Sequence, residues 1–345
     1  MPGVTVEAFL DETPGETRGV IARNGRFERL LIHREGEAEQ TRLRARSVGR
    51  VVEARVTADG ALIDLGAEPP FAFLPLKASE QVREGEALEV EVTAEPRERK
   101  GPTVRRIGPA AGPPRLLAAG PDVRAWLAEL APGAVLVTGV EAIQASWDAE
   151  EEAFGAGDFF AETGLDLAVE RTRALIAVDI DHAALPGQDR RKGRARANQA
   201  GLREAARLIR LKRWGGLVAV DLAGTVLDAE QVKAWATAAF EGDGASLGPL
   251  SRFGLLQLSL PWRFTPIEEV LLEPWGSPTC RTRAQDLVRR LNMQMMSDTR
   301  TPRFTAVCCP EQASVAAPWV ERLGPRAALR ADSSRAPGHG DIVEG

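Results

Sequence analysis

Residues 174–221 carry the pattern that most restricts the fold. "ALIAVDID" (174–181) is an apolar run of strand length that ends in two carboxylates. A polar, basic loop follows, then "QAGLREAARLIRLKRW" (199–214). In that segment Leu202, Ala205, Ala206 and Ile209 fall on one helical face, and Arg203, Arg207 and Arg210 on the other. Gly215 and Gly216 stop the helix, and "LVAVD" (217–221) is a second apolar strand ending in Asp221. Strand, helix, strand predicts two parallel strands joined by a right-handed crossover. Their carboxyl ends then share one edge of the sheet, where open α/β sheets place their sites.

Asp179, Asp181 and Asp221 therefore converge on that edge. Asp179 and Asp181 are two residues apart and share a strand face. Clustered carboxylates repel one another unless a cation compensates. A single acid at a strand end is adequately explained as a solvated cap; three brought together by topology suit a hard divalent ion. Mg2+ takes one or two carboxylates, keeps several waters and completes its shell with substrate phosphate. The loop "QDRRKGRARANQ" adds Arg190, Arg191, Lys192, Arg194 and Arg196 next to these acids. By itself it reads as a solvated basic loop. Beside a metal site it suits a polyanionic substrate held through its phosphates. His182 is adjacent, but a lone loop histidine carries little weight as a catalytic base.

The rest of the chain predicts further modules. Residues 1–45 give short strands without a core of their own, with a hairpin signal at Asn24-Gly25. Residues 46–112 give short strands at regular spacing, "GRVVEARVTADGALIDLG", "FAFLPL" and "VREGEALEVEV", which predict a small barrel. Pro, Gly and Ala make 109–120 a linker. A helix ("DVRAWLAELA"), a strand ("AVLVTGV"), an acidic stretch ("DAEEEAFGAGD") and another strand ("LDLAVE") occupy 121–170. Residues 171–273 form the α/β block, 274–300 a connector, 301–332 a small strand–helix–strand unit, and 333–345 a mobile tail. With 345 residues, several modules are the natural expectation.

Net charge is −5 despite 44 Lys and Arg, so the basic residues matter by position, not by total. No apolar run reaches membrane-spanning length and no signal pattern opens the chain, so a cytoplasmic location is expected. Three cysteines, Cys280, Cys308 and Cys309, form no even framework and suit a reducing compartment.

The segments "TRALIAVDID", "ANQAGLREAARLIRLKRWGGLVAVD" and "LSRFGLLQLS" (250–259), at their spacing, resemble the ribonuclease E/G family. "IDLGAEPPFAFLPL" and "EPRERKGP" resemble that family's OB-fold RNA-binding domain of the ribosomal S-one type, and "RFTAVCC" through "RAALRAD" resembles its small terminal domain. The resemblance implies a multidomain α/β plus β protein. It would have a deoxyribonuclease-I-like α/β catalytic domain, a ribonuclease H-like portion (1–45 and 121–170, with a reduced sensor remnant) and an inserted OB-fold barrel. It implies an endoribonuclease that cuts single-stranded RNA by Mg2+-assisted hydrolysis, with Mn2+ as the alternative ion. Asp179 and Asp221 match the family's two metal-holding aspartates, and Asp181 stands where the family has Asn. Phe73 and Lys100 match an RNA-contacting aromatic and Lys, Arg252 in "LSRFGLLQLS" is a further candidate RNA-binding residue, and Leu62 stands where a second aromatic is common.

Two departures are larger. Thr138 lacks the Arg that precedes it in the family's 5′-end sensor, so 5′-monophosphate sensing is not expected. The family's zinc-sharing "CPTC" is here "SPTC", with Ser277 in place of the first Cys. Two thiolates from two chains do not make a four-ligand site. No zinc and no zinc-linked dimer are expected, and the oligomeric state stays open. Cys308 and Cys309, adjacent in an apolar strand, read as core, as does Trp262. A non-catalytic RNA-binding protein of the same descent is the alternative reading, motivated by Asp181 and the two lost motifs. A metal-dependent nuclease acting on DNA is a third.

Overall fold

The computed structural model describes every residue except 1–4, 58–59, 78, 185–188 and 225–226, and the side chains of 56–57. The chain divides into two compact units, residues 1–150 with 265–345, and residues 151–264. The fold is mixed α/β with several sheets and one closed barrel.

The first unit opens with β1 (Val6–Asp11), β2 (Glu16–Arg23) and β3 (Arg26–Arg34), an antiparallel meander. Asn24 and Gly25 both have positive φ, 50° and 73°, the backbone that a two-residue hairpin turn demands. Next come β4 (Arg46–Thr57), β5 (Gly60–Asp64), β6 (Ala72–Pro75), β7 (Ala87–Ala94) and β8 (Thr103–Pro109). The first part of β4 pairs with β7 and the rest with β5, across two register shifts, which closes a five-stranded barrel. Alternate residues such as Ile63, Leu74, Leu88, Val90 and Val104 fill it. The Asp59-Gly60 turn expected between β4 and β5 lies partly outside the described residues. The stretch read as a linker is not free of structure. It contains β9 (Arg115–Ala118), which pairs with the start of β4.

α1 (Val123–Leu130) is capped by Asp122, whose carboxylate accepts from Ala125 N. β10 (Leu136–Thr138) lies parallel to β1, and α2 (Val140–Phe154) absorbs most of the acidic stretch.

The second unit is one six-stranded sheet with two helices. Its elements are β11 (Gly157–Phe160), β12 (Leu165–Arg171), β13 (Ile176–His182), α3 (Arg190–Lys212), β14 (Gly216–Asp221), α4 (Ala229–Ala239), β15 (Ser246–Leu247) and β16 (Leu256–Leu260). The order is β11-β12-β13-β14-β16-β15, and β13 and β14 are parallel neighbours, as their βαβ pattern predicts. The other pairs are antiparallel. Leu202, Ala205, Ala206 and Ile209 of α3 are buried against Ile176, Val178 and Ile180. Arg207, read as solvent-facing, is buried and paired with Glu204 and Glu152 (2.6 Å to Glu152).

Back in the first unit, α5 (Ile267–Leu271) precedes α6 (Cys280–Ser297). The expected connector at 274–300 thus holds an 18-residue helix, capped by Thr279, whose hydroxyl accepts from Thr282 N. β17 (Phe304–Cys308), α7 (Pro310–Arg322) and β18 (Ala327–Ala331) form a parallel βαβ unit. The expected mobile tail is corrected in part, because β19 (Asp341–Glu344) pairs antiparallel with β17 and Ile342 packs on the local core. Cys308 and Cys309 are buried there, as read. No helix among the described residues is long and apolar enough to cross a membrane.

Candidate functional site

The second unit's sheet has one covered and one open face. On β12, Leu165, Leu167 and Val169 are buried while Asp166 and Glu170 are exposed. β13 alternates the same way, with Ile176, Val178 and Ile180 in and Asp179 and Asp181 out. So does β14, with Val218 and Val220 in and Leu217 and Asp221 out. The acids therefore stand at the carboxyl ends of β13 and β14, as read from the sequence, and project from the face opposite α3. Parallel sheets usually have both faces covered. Here an antiparallel β12 extends pairing past Asp179 to His182 and keeps both acids within the sheet.

The register fixes their neighbours. Asp179 stands opposite Asp221 across the parallel pair. Asp181 stands opposite Asp166 across the antiparallel pair. Directly opposed residues share a face with Cβ atoms about 5 Å apart. Burial, then the charges of Asp221, Asp181 and Asp166, push the Asp179 carboxyl above its usual range. Every charge in that list is a carboxylate, so Asp179 is an acid awaiting a cation. Asp181 is turned onto its own backbone, where its Oδ1 accepts from His182 N at 2.7 Å. Among the described residues no group of three or more His, Cys, Asp or Glu side chains is arranged to hold a metal ion. The set that stands ready is the facing pair Asp179 and Asp221, which matches the one or two carboxylates that Mg2+ takes. The donors are hard oxygens and the local charge is uncompensated, so the residues fit such an ion.

Asp166 is the site residue that sequence reading missed. Its signal was the short turn at 172–175, closed by Thr172 N donating to Leu175 O at 2.9 Å. Counting outward from that turn puts Asp166 opposite Asp181.

The basic segment is helix, not loop. Asp189 caps α3, its Oδ1 accepting from Arg191 N and Lys192 N at 2.9 and 3.1 Å. Gly193 is a packing glycine, since a Cβ there would come within 2.6 Å of the His182 ring. Arg190, Arg191, Lys192, Arg194 and Arg196 are all exposed. Arg190, Arg191 and Arg194 line a cleft of about 360 Å³ with Asn198, Gly224 and Trp235. That cleft lies between α3 and α4, on the helix side of the sheet.

Asn198 ties this helix to the turn that leaves Asp221. It is buried, its Nδ2 donating to Ala223 O (3.1 Å) and its Oδ1 accepting from Ala223 N (2.8 Å). Asn198→Ala strands both backbone groups, at a cost of about 1–3 kcal/mol. A fall in the melting temperature, together with weakened activity through a displaced Asp221, is the expected result. Asn198→Asp, which keeps only the acceptor, should fall between the two.

Arg252 lies in the turn before β16, exposed, with its guanidinium over the Phe253 ring at 4.6 Å. Phe253 is 75% exposed. Trp262, read as core, is half-buried, with Arg171 over its ring at 5.2 Å.

Phe73 and Lys100 belong to the barrel of the first unit. Phe73 is half-buried on β6, opposite Leu62, with its ring over Gly60. Lys100 is exposed and paired with Glu98 at 3.2 Å. Thr138 is exposed on β10. The structure thus brings Asp179, Asp181 and Asp221 together in one unit, while the barrel pair belongs to the other.

Comparison with known families matches residues 156–260 to the Ribonuclease E/G family. That segment holds the whole open face, α3 and the Arg252 turn. Comparison with curated proteins gives no match.

Proposed function

We propose, from the match of residues 156–260 to the Ribonuclease E/G family, that the protein is an endoribonuclease that hydrolyses single-stranded RNA at the open acidic face. Family membership supports ribonuclease action in general. The observation that carries the finer reading is the facing pair Asp179 and Asp221, with the Asp179 carboxyl raised by burial and then by the like charges of Asp221, Asp181 and Asp166. Pure RNA binding has no use for such a pair, because carboxylates repel the phosphate backbone. Together with Asp181, they would hold Mg2+, or Mn2+ in its place, which supplies an activated water and neutralises charge on the phosphate when bound. Rotation of Asp181 away from the His182 N–H would free its carboxylate for the same ion.

The chain's own groups do the rest. Arg190, Arg191, Lys192, Arg194 and Arg196 give the acidic unit a cationic side for phosphates, and Arg252 adds one more beside an exposed ring. In the barrel, Phe73 and Lys100 supply a ring and a cation, the combination that single-stranded nucleic acid binders use. A deoxyribonuclease-I-like catalytic domain with a ribonuclease H-like portion, no zinc, and action without a 5′-monophosphate sensor belong to the same proposal. So does a cytoplasmic place of action.

The test is cleavage of a labelled single-stranded RNA with Mg2+ and with EDTA, in 5′-monophosphate and 5′-hydroxyl forms. Mg2+-dependent cutting at equal rates on both ends is expected. A strong preference for the monophosphate would overturn the sensor reading, and cutting in EDTA would overturn the metal reading. Tight RNA binding without any cutting would favour the non-catalytic alternative, which Asp181 in place of Asn motivates.

A further inference from the structure

Phe159 is an exposed aromatic ring whose position the registers fix. It lies on the edge strand β11, directly opposite Asp166, which is opposite Asp181. The three side chains thus form one row across the open face. The next row reads Gly157, Ala168, Asp179, Asp221. Phe160 turns the other way and packs on the core, while Phe159 stays 53% exposed.

We propose that Phe159 stacks the base of the nucleotide whose phosphate is handled at the carboxylates, and so seats the RNA for cleavage. This rests on the nuclease reading above and names the residue that positions its substrate. Neighbouring strands lie about 4.8 Å apart, so the ring stands about 10 Å from Asp181, two strands away. That is the scale of one nucleotide from base to phosphate. Nothing bulky intervenes in the second row, where Gly157 and Ala168 lead to Asp179. Gly157 also sets the position of the strand, because a Cβ there would come within 1.8 Å of Leu167 O. The flank of the ring is acidic, through Asp166 and Asp181 in its own row, and the next row adds only the small Gly157 and Ala168 before Asp179. An apolar protein partner would gain little there, whereas a base presents a π-face that any aromatic ring accepts.

The experiment uses the full chain and a single-stranded oligoribonucleotide carrying 2-aminopurine. Binding is read on the Asp179→Asn background, so that no cutting is required, and cleavage on the otherwise wild-type chain. Phe159→Ala should weaken binding and raise KM about tenfold, the loss of one base–aromatic stack, with kcat little changed. It should also abolish the 2-aminopurine fluorescence change, and Phe159→Trp should restore all of these. Phe159 is exposed, so melting temperatures should stay together and separate seating from folding. Unchanged KM and unchanged fluorescence in Phe159→Ala would overturn the proposal while leaving the nuclease reading intact. A fluorescence change that depends on the ring, in a chain that never cuts, would uphold the stacking role and sink the nuclease reading. Failure to bind the oligonucleotide at all would sink both.

Discussion

Asp179→Ala or Asp221→Ala is expected to remove RNA cleavage, with kcat falling about a thousandfold or more, which corresponds to about 4 kcal/mol of lost transition-state stabilisation. The pair faces itself across two parallel strands, and loss of either acid removes one side of it. Asp181→Ala should cost less, because that carboxylate already bonds the His182 N–H. Single-turnover cleavage rates check this, and full activity in both alanine variants would remove the pair from the chemistry.

Folding damage is excluded by a second readout whose sign is opposite. Burial, and then Asp221, Asp181 and Asp166, raise the Asp179 carboxyl in the folded chain. A group whose folded pKa is raised binds its proton more tightly folded than unfolded, so ionising it lowers stability. Below the unfolded value, about 4, that cost is absent; it grows as pH rises from there through the folded value. Asp179→Asn should therefore be inactive yet melt above the wild type at pH 7 without divalent ion. The gap should close as pH falls towards about 4. Added Mg2+ should raise the wild type and leave the variant where it was.

How far this site was legible in the chain depends on the kind of pairing. The convergence of Asp179 and Asp221 followed from the βαβ pattern, because a crossover helix makes the two strands parallel and brings their carboxyl ends to one side; their direct opposition is set by the register. The face they occupy did not follow. The run "ALIAVDID" looks continuous and apolar up to Asp179, and nothing in it says which face the helix covers. Its alternation, Ala177 and Asp179 against Ile176 and Val178, is that of a half-open sheet. Asp166 was missed because the hairpin at 172–175 was read as a break between two blocks. The same habit hid α6, β9 and β19, each lying in a stretch whose Pro, Gly or polar content suggested connection. In each case tertiary pairing supplies what local composition withholds. β19, for one, completes hydrogen bonds along β17 that its own four residues could not sustain alone. The basic segment misled in the same way: it was read as a loop and is the first turns of α3, where Gly193 packs beside the His182 ring.

No sequence signal announced the buried ion network around Glu16, and its disruption should give a large loss of stability. Glu16 on β2 is 1% exposed. It accepts from Arg18 Nε at 2.6 Å and Arg289 Nη2 at 2.9 Å, and its other oxygen takes Arg34 Nε. Arg289 also binds Asp11, Arg18 reaches Glu150, and Arg34 donates to Thr282 Oγ1 at 2.9 Å. One carboxylate thus joins β2, β3 and α6. Burial alone would raise the Glu16 carboxyl, but the charges of Arg18, Arg289 and Arg34 overcome it and hold it far below the carboxylate range. Glu16→Gln leaves three largely buried guanidinium groups short of a partner, at an expected cost of about 3–5 kcal/mol. For a unit of this size that lowers the melting temperature by about 10 °C. The pH dependence identifies the cause. A carboxyl held low in the fold stabilises above its unfolded pKa, about 4.3, and loses that contribution only as pH falls below it towards the folded value. The gap between wild type and Glu16→Gln should therefore be constant from neutral pH down to about 5 and narrow only in stronger acid. A gap that narrowed above pH 5, or a variant as stable as the wild type, would show that the three arginines are held by their other contacts and that Glu16 is not the keystone of this unit.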